Sequence, residues 1–368
     1  MLERAVWAEI DLEAIRHNIG EIQNRMRGGA KLCAVVKANA YGHGAVAVAR
    51  TAVEAGASYL AVAILEEALE LRAAGFCEPV LILGHTPEAQ APQIVAHAVT
   101  QTVFSLEAAE ALSAAAVQQR KTAKVHLKVD TGMGRIGVRP EEAGALAARI
   151  ARLPGIELEG VFSHFASSDS ADKTAAERQL ARFREALRSI EAAGVRVAIR
   201  HIANSAAILE IPEAHFDMVR AGIILYGLWP SEEVARSAAL RPAMRLKARV
   251  AYVKEVPAGE AISYGGVFRT ARRSRIATLP IGYADGYTRR LSGRAEVEVN
   301  GALAPVVGRI CMDQCMLDVS DAGEVRAGDE VTLFGGARMS AQALAQLLGT
   351  IHYEVVCTVG ARVPRVYV

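Results

Sequence analysis

Along the first two thirds of the chain, short apolar runs alternate with longer Ala-rich segments whose apolar residues recur at helical spacing. The segment 11–26 opens on Asp11, an N-cap candidate, and carries Leu12, Ile15, Ile19 and Ile22 on one face of a predicted helix. After Gly28-Gly29 comes Cys33-Ala34-Val35-Val36, a buried-strand pattern that ends on Lys37 and a Gly-punctuated turn. Further apolar runs at 59–63, 79–84, 99–104, 124–130, 157–164, 197–201 and 216–220 read as strands, and the amphipathic segments 106–119, 140–152 and 173–193 read as helices. Counting the strand before Lys37, these are about eight strand–helix units in about 230 residues, the proportions of a (β/α)8 TIM-like barrel. The rival is a doubly wound open sheet, which would usually carry a GxGxxG turn after a strand; none stands here.

The pattern changes after Leu228-Trp229-Pro230-Ser231-Glu232-Glu233, and Arg241-Pro242 closes a linker. The runs 244–257, 275–280, 295–299, 304–309, 314–319, 330–334 and 354–359 are short, Val-rich and separated by Gly, Asp or Asn turns, with one helix predicted over 341–348. The expected organisation is a barrel over 1–235 and a mostly β C-terminal domain over 236–368.

Composition narrows the function classes. The 368 residues are 52% hydrophobic and 22% charged, ample for two cores. A net charge of +2 gives no electrostatic reason to expect nucleic acid or a membrane surface as a partner. The five cysteines are scattered without a CxxC pair, which suits reduced thiols better than a disulfide framework. Cys311 and Cys315 have no second Cys or His pair to complete a zinc site, so no metal is expected. The first eleven residues lack the apolar core of an export signal and no apolar stretch reaches membrane-spanning length, so the expectation is a cytoplasmic protein.

The candidate chemistry lies at the strand ends. Catalytic groups of a barrel sit at the C-terminal ends of its strands, and here the predicted ends carry Lys37, Lys128 to Asp130, His164, His201 to Ser205, and Arg220. A strand-end lysine either snorkels to water or is desolvated; desolvation disfavours the ammonium form, as Schiff-base chemistry needs. A strand-end histidine alone is commonly a hydrogen-bonded structural residue, but five polar ends on one barrel face would be hard to stabilise without a ligand. Ala203-Asn204-Ser205 follows the seventh strand and Ala221-Gly222-Ile223 the eighth, where barrels usually bind phosphate through backbone N–H groups and a hydroxyl. Gly222 could equally serve a tight turn. A Schiff-base lysine with a phosphate cradle points to pyridoxal 5′-phosphate.

These residues lie in longer stretches that resemble the alanine racemase family over essentially the whole chain. The stretches are Ala34-Val35-Val36-Lys37-Ala38-Asn39-Ala40-Tyr41-Gly42-His43-Gly44, Lys128-Val129-Asp130-Thr131-Gly132-Met133-Gly134-Arg135-Ile136-Gly137, Ser163-His164-Phe165-Ala166, His201-Ile202-Ala203-Asn204-Ser205, Val219-Arg220-Ala221-Gly222-Ile223-Ile224-Leu225-Tyr226-Gly227, Ile262-Ser263-Tyr264-Gly265, Ile281-Gly282-Tyr283-Ala284-Asp285-Gly286 and Gly308-Arg309-Ile310-Cys311-Met312-Asp313-Gln314. The resemblance implies a homodimeric pyridoxal-phosphate-dependent racemase of alanine that uses two bases and supplies D-alanine for peptidoglycan. By it, Lys37 would carry the cofactor and act as one base, and Tyr264, from the partner subunit, as the other, with Met312 and Asp313 near the substrate. Arg220 would face the pyridine nitrogen, His164 would connect Arg220 with Tyr264, and Tyr41, Ser205, Gly222, Ile223 and Tyr353 would hold the phosphate. Arg135 would pair with the substrate carboxylate. Lys128 matches a position that some members carbamylate to orient that arginine; an unmodified Lys128 paired with a carboxylate is the alternative. Asp169, Tyr283, Arg289, Arg309 and Ile351 resemble residues of the substrate entrance, where ordinary surface roles compete.

Three other functions compete with this one. A pyridoxal-phosphate amino-acid decarboxylase on the same barrel would place a carboxylate where Arg220 stands. A non-catalytic pyridoxal phosphate carrier would lack the second domain and Tyr264. A broader alanine/serine racemase would be expected to carry an export signal.

Overall fold

The computed structural model describes residues 4–368. Numbered along the chain, β1 is Val6–Ile10, and the eight strands after it are β2 (Lys31–Val35), β3 (Tyr59–Val62), β4 (Val80–Ile82), β5 (Thr100–Val103), β6 (Ala123–Lys128), β7 (Ile156–Phe162), β8 (Ile199–His201) and β9 (Met218–Ala221). These eight pair in parallel in the order β8-β7-β6-β5-β4-β3-β2-β9. The end strands approach through backbone bonds from Asp217 N–H to Arg200 C=O and from Arg220 N–H to Ala203 C=O, each 3.1 Å, so the sheet curls into the expected barrel. Its strands are buried along nearly their whole length, as in a parallel sheet covered on both faces, although β5 to β8 bury polar residues such as Gln101, His126 and His201.

The helices between the strands end where their residues allow. Leu106–Gln119 begins at Ser105, whose hydroxyl accepts from Ala108 N–H, and stops at Arg120 in a left-handed conformation. Thr174–Ala192 buries Ala176, Leu180, Phe183, Ala186 and Ile190, a stripe at three- and four-residue spacing.

The remaining strands are β10 (Met244–Arg249), β11 (Tyr252–Val256), β12 (Ala261–Ile262), β13 (Phe268–Arg269), β14 (Ser274–Leu279), β15 (Glu296–Val299), β16 (Ala302–Val307), β17 (Cys315–Asp318), β18 (Glu330–Phe334) and β19 (Arg365–Tyr367). All but the β12–β13 pair join one sheet of order β11-β14-β17-β16-β15-β18-β10-β1-β19. Val256, Ile262, Ile276 and Val307 cluster inside it against Phe268 and Met316.

Several elements differ from the sequence expectations. The first strand does not belong to the barrel: β1 pairs antiparallel with β10 (Val6 opposite Ala248) and parallel with β19 (Ala8 opposite Arg365). By packing, Met1–Glu13, Tyr41–Gly44 and Pro242–Val368 form one compact unit and Ala14–Ala40 with Ala45–Arg241 the other, where a linear division would cut once near residue 235. The run 244–257 is two strands, interrupted at Val250-Ala251. The segment 354–359, expected as a strand, is instead part of the helix His352–Cys357. Its buried residues His352, Val355 and Val356 follow an i, i+3, i+4 pattern, which the adjacent valines disguise as a strand. The helix Ala341–Leu348 stands as expected, capped by the Ser340 hydroxyl and stopped at Gly349. Among the described residues no helix is long and apolar enough to cross a membrane.

Candidate active site

Lys37 lies two residues beyond the end of β2 rather than on it, and opens an unusual turn. Ala38, Asn39, Ala40 and Tyr41 all have φ of 52–53°, in the left-handed region. L-residues enter that region at a cost of about 1–2 kcal/mol each, so the turn must be held from outside. Glu67 does part of this: one carboxylate oxygen accepts from Ala38 N–H at 2.6 Å and the other from Ala63 N–H at 2.7 Å. Asn39 contributes its side-chain oxygen to Ala45 N–H at 2.8 Å.

Arg220 stands on β9, next to β2, in register with Cys33. It is buried to 3% exposure, and no carboxylate among the described residues lies within ion-pair distance of it. Its guanidinium donates instead to His201 Nδ1 (2.7 Å), His164 Nδ1 (3.0 Å) and the carbonyls of Ser163 (2.9 Å) and Ile202 (3.2 Å). Burial lowers its pKa to about 10, still a cation at neutral pH. His164 falls well below the usual histidine range through burial and the charges of Arg220, Arg135, Lys128 and Lys37, so it is neutral and accepts at Nδ1.

Lys128, at the end of β6, is 3% exposed; burial, aided by Arg220, lowers its pKa to about 7. Its Nζ donates to Val129 C=O at 3.0 Å and lies over the Phe162 ring. The loop that follows is shaped by Asp130, one of whose carboxylate oxygens accepts from the N–H groups of Gly132, Met133 and Gly134. Gly137 lets that loop fold back, since a Cβ there would meet Asp130 N at 2.6 Å. Arg135 is exposed on this loop.

After β8 and β9, Gly222 N–H donates to Ser205 Oγ at 3.0 Å, and Ile223 follows in a 3-10 turn. Asp169 is half-buried in the loop after β7, its carbonyl accepting from Ser231 Oγ at 2.6 Å. Among the residues singled out from the sequence, Lys37, Lys128, Arg135, His164, Asp169, Ser205, Arg220, Gly222 and Ile223 thus belong to the barrel unit.

The others belong to the β unit. Tyr41 is buried there with its ring 6.2 Å from that of Tyr353; burial raises its hydroxyl's pKa, so it stays a donor. Tyr264 is 69% exposed, in a turn that Ser263 holds at φ 66° by donating from Oγ to Arg309 C=O at 2.6 Å. Tyr264, Met312 and Asp313 line one cavity of about 580 Å³ with Ile262 and Lys254. Gly282 allows the neighbouring turn to close, because a Cβ there would overlap the carbonyls of Cys311 and Met312. Tyr283 N–H donates to Cys311 C=O at 3.1 Å, and Arg309 lies against Gly265. Tyr283, Arg289 and Ile351 are exposed. Asp313 pairs with Arg362 at 2.8 Å.

Sequence reasoning missed Glu67, and also His126 and Glu159, which lie inside the barrel. A signal for His126 was present in Lys124-Val125-His126-Leu127-Lys128, where every second residue is polar on a strand expected to be apolar on both faces; Glu67 and Glu159 left none there.

The donor set suits a phosphorylated pyridine. A buried donor-only cation stands on β9, a lysine follows the adjacent strand, and a hydroxyl and a backbone N–H lie after the last two strands.

Comparison with known proteins matches two successive parts of the chain. Residues 10–230 match the family described as alanine racemase, N-terminal domain, and residues 243–367 that described as alanine racemase, C-terminal domain. The chain is 59% identical over 366 residues to the alanine racemase of Desulfovibrio desulfuricans, covering 100% of this chain and 99% of that one. Among solved structures, alanine racemase of Clostridium difficile 630 superposes with a TM-score of 0.98 at 43% identity, covering 100% of this chain and 97% of that one. The same enzyme in complex with cycloserine gives 0.95 at 41%, covering 100% and 96%.

Proposed function

This chain belongs to the alanine racemase family, and we propose that it interconverts L- and D-alanine with Lys37 and Tyr264 as its two bases and pyridoxal 5′-phosphate as cofactor. The cofactor, when bound, supplies an electron-withdrawing ring that acidifies the substrate's α-hydrogen. Lys37 Nζ would hold it covalently and would take or return a proton on one face of the substrate's α-carbon. The Tyr264 hydroxyl does the reverse on the other face, so the substrate need not turn over. Tyr264 comes from the second subunit of a homodimer; its exposure and its place on a broad cavity with Met312 and Asp313 support this.

Arg220 carries this assignment. A buried guanidinium fixed by four acceptors can only donate, so it holds a ring nitrogen without protonating it. A carboxylate at this position would do the opposite and favour decarboxylase-like chemistry. Ser205, Gly222 and Ile223, with Tyr41 and Tyr353, hold the phosphate, and Arg135 pairs with the substrate carboxylate. Lys128 is a candidate for carbamylation: a buried amine of pKa about 7 presents the neutral nitrogen that attacks carbon dioxide, releasing a proton and leaving a negative group among Arg220 and Arg135. Asp169, Tyr283, Arg289, Arg309 and Ile351 border the substrate's entrance. The D-alanine formed serves peptidoglycan synthesis in the cytoplasm.

Borohydride reduction of the cofactor-loaded enzyme followed by peptide mapping tests this function. Label on the Lys37 peptide, with interconversion of alanine enantiomers before reduction, is expected; label elsewhere overturns it.

A further inference from the structure

Bulky branched residues usually fill a barrel interior, yet a continuous polar line crosses this one. From Arg220 Nη1 it runs to His201 Nδ1 (2.7 Å), from His201 Nε2 to His126 Nδ1 (2.8 Å), and from His126 Nε2 to Glu159 Oε2 (3.1 Å). Glu159 also accepts from the Tyr59 hydroxyl at 2.7 Å and from Lys124 Nζ at 2.6 Å. His126 and His201 are fully buried, whereas the Lys124 side chain is 46% exposed near the start of β6.

The two ends dictate where every proton sits. A guanidinium only donates and a carboxylate only accepts. Arg220 occupies His201 Nδ1 as an acceptor, so the single proton of a neutral His201 is on Nε2 and goes to His126 Nδ1. The proton of His126 is then on Nε2 and goes to Glu159. A cationic His201 would set an N–H against the Arg220 N–H, and burial together with Arg220 holds His201 well below the usual histidine range. Burial also lowers His126, and Glu159 is held at about 2 because bonds from His126, Lys124 and Tyr59 outweigh its desolvation. All bonds of the line point the same way.

The line is built into the backbone. The β6–β7 register shifts between Val125 and His126, so that Leu158 pairs with Val125 and Gly160 with His126, leaving Glu159 as the extra residue of a bulge. A Cβ on Gly160 would lie 2.6–2.7 Å from three atoms of the His126 ring, so the imidazole occupies space that only glycine leaves. Phe162 stacks on His201 at 4.7 Å with the rings 1° from parallel.

A buried cation without a counter-charge is costly. We propose that Glu159 and His126 are positioning residues for Arg220: through two imidazoles locked in one tautomer, the Glu159 carboxylate compensates the guanidinium and fixes its direction. Only the effect on turnover rests on the function proposed above; the proton arrangement does not.

The test is nitrogen-15 NMR of histidine-labelled, cofactor-loaded enzyme, with steady-state kinetics. In the unaltered protein His126 and His201 are expected to be neutral with the proton on Nε2. Glu159→Gln keeps an acceptor and removes the charge: both tautomers persist while kcat falls about tenfold and KM changes less than about twofold. Glu159→Leu removes the acceptor, and the Tyr59 hydroxyl keeps Thr100 Oγ1, at 3.1 Å, as its own acceptor. The His126 Nε2–H then has no carboxylate to meet, its nitrogen-15 shift moves toward that of an unbonded N–H, and kcat falls up to about 100-fold. Other tautomers in the unaltered enzyme overturn the proposal, as does Glu159→Leu with unaltered spectra and kcat. Should Glu159→Leu fail to fold, an unchanged kcat in Glu159→Gln is itself sufficient to overturn it. A borohydride label missing from Lys37 leaves the tautomers as stated, so the two failures are separable.

Discussion

Lys128 shows what burial does to a single side chain. A lysine in the unfolded chain titrates near 10.4, whereas here it titrates at about 7. Between these values the unfolded state binds more protons, so stability should rise with pH from about 7 to about 10, by at most about 1.4 kcal/mol per pH unit. Below pH 7 the full penalty is present. Lys128→Met should flatten that slope, as denaturant midpoints measured from pH 7 to 10 would reveal; an unchanged slope would assign it to another group. The positions of Lys37, His164, Ser205 and Arg220 on or just after barrel strands were legible because those strands can be counted from the apolar runs. His126 and Glu159 were not, because their partners come from strands far apart in sequence: Tyr59 is 100 residues from Glu159 and His201 is 75 from His126. A histidine inside an apolar run says nothing about which strand it will face.

At the level of elements, the turn after Lys37 inverts an ordinary rule. Replacing alanine by glycine normally destabilises, but Ala38 is exposed and left-handed, where glycine carries no steric penalty. Ala38→Gly should therefore raise the thermal midpoint, by the equivalent of up to about 1 kcal/mol. A fall would mean that neighbouring contacts do not maintain the turn against its strain. Gly282→Ala should act in the opposite direction: its methyl would displace the Cys311 and Met312 carbonyls and cost about 1–3 kcal/mol, visible in the same measurement. The strand–helix alternation of the barrel was clear from periodicity, and Leu106–Gln119 and Ala341–Leu348 end where the pattern ends. β1 and β19 were not visible, because each is three to five residues long and acquires its partner only through distant pairing. The helix His352–Cys357 was hidden by two β-branched neighbours whose packing overrides propensity.

For the whole molecule, the proposed sharing of the active site between subunits makes a quantitative expectation. If Tyr264 serves the partner's Lys37, neither Lys37→Ala nor Tyr264→Phe homodimers can turn over, yet a mixed dimer holds one intact site beside one doubly altered site. Random exchange of equal amounts should restore about a quarter of the unaltered activity, since about half the dimers are mixed and each has half its sites. Recovery of nothing after verified exchange would place Tyr264 with its own Lys37. The two compact units also draw attention back to β1. This strand leaves the ribosome well before its partners β10 and β19, which lie more than 230 and more than 350 residues later. Until they are made it is an unpaired strand edge, Val6–Ile10, preceding a barrel sheet in which it has no partner. The long wait makes this segment the nascent chain's point of exposure to aggregation and to holding chaperones. Moving β1 to follow β19 through a short linker would shorten that interval, and the yield of soluble protein on fast expression should rise if the delay is what limits it.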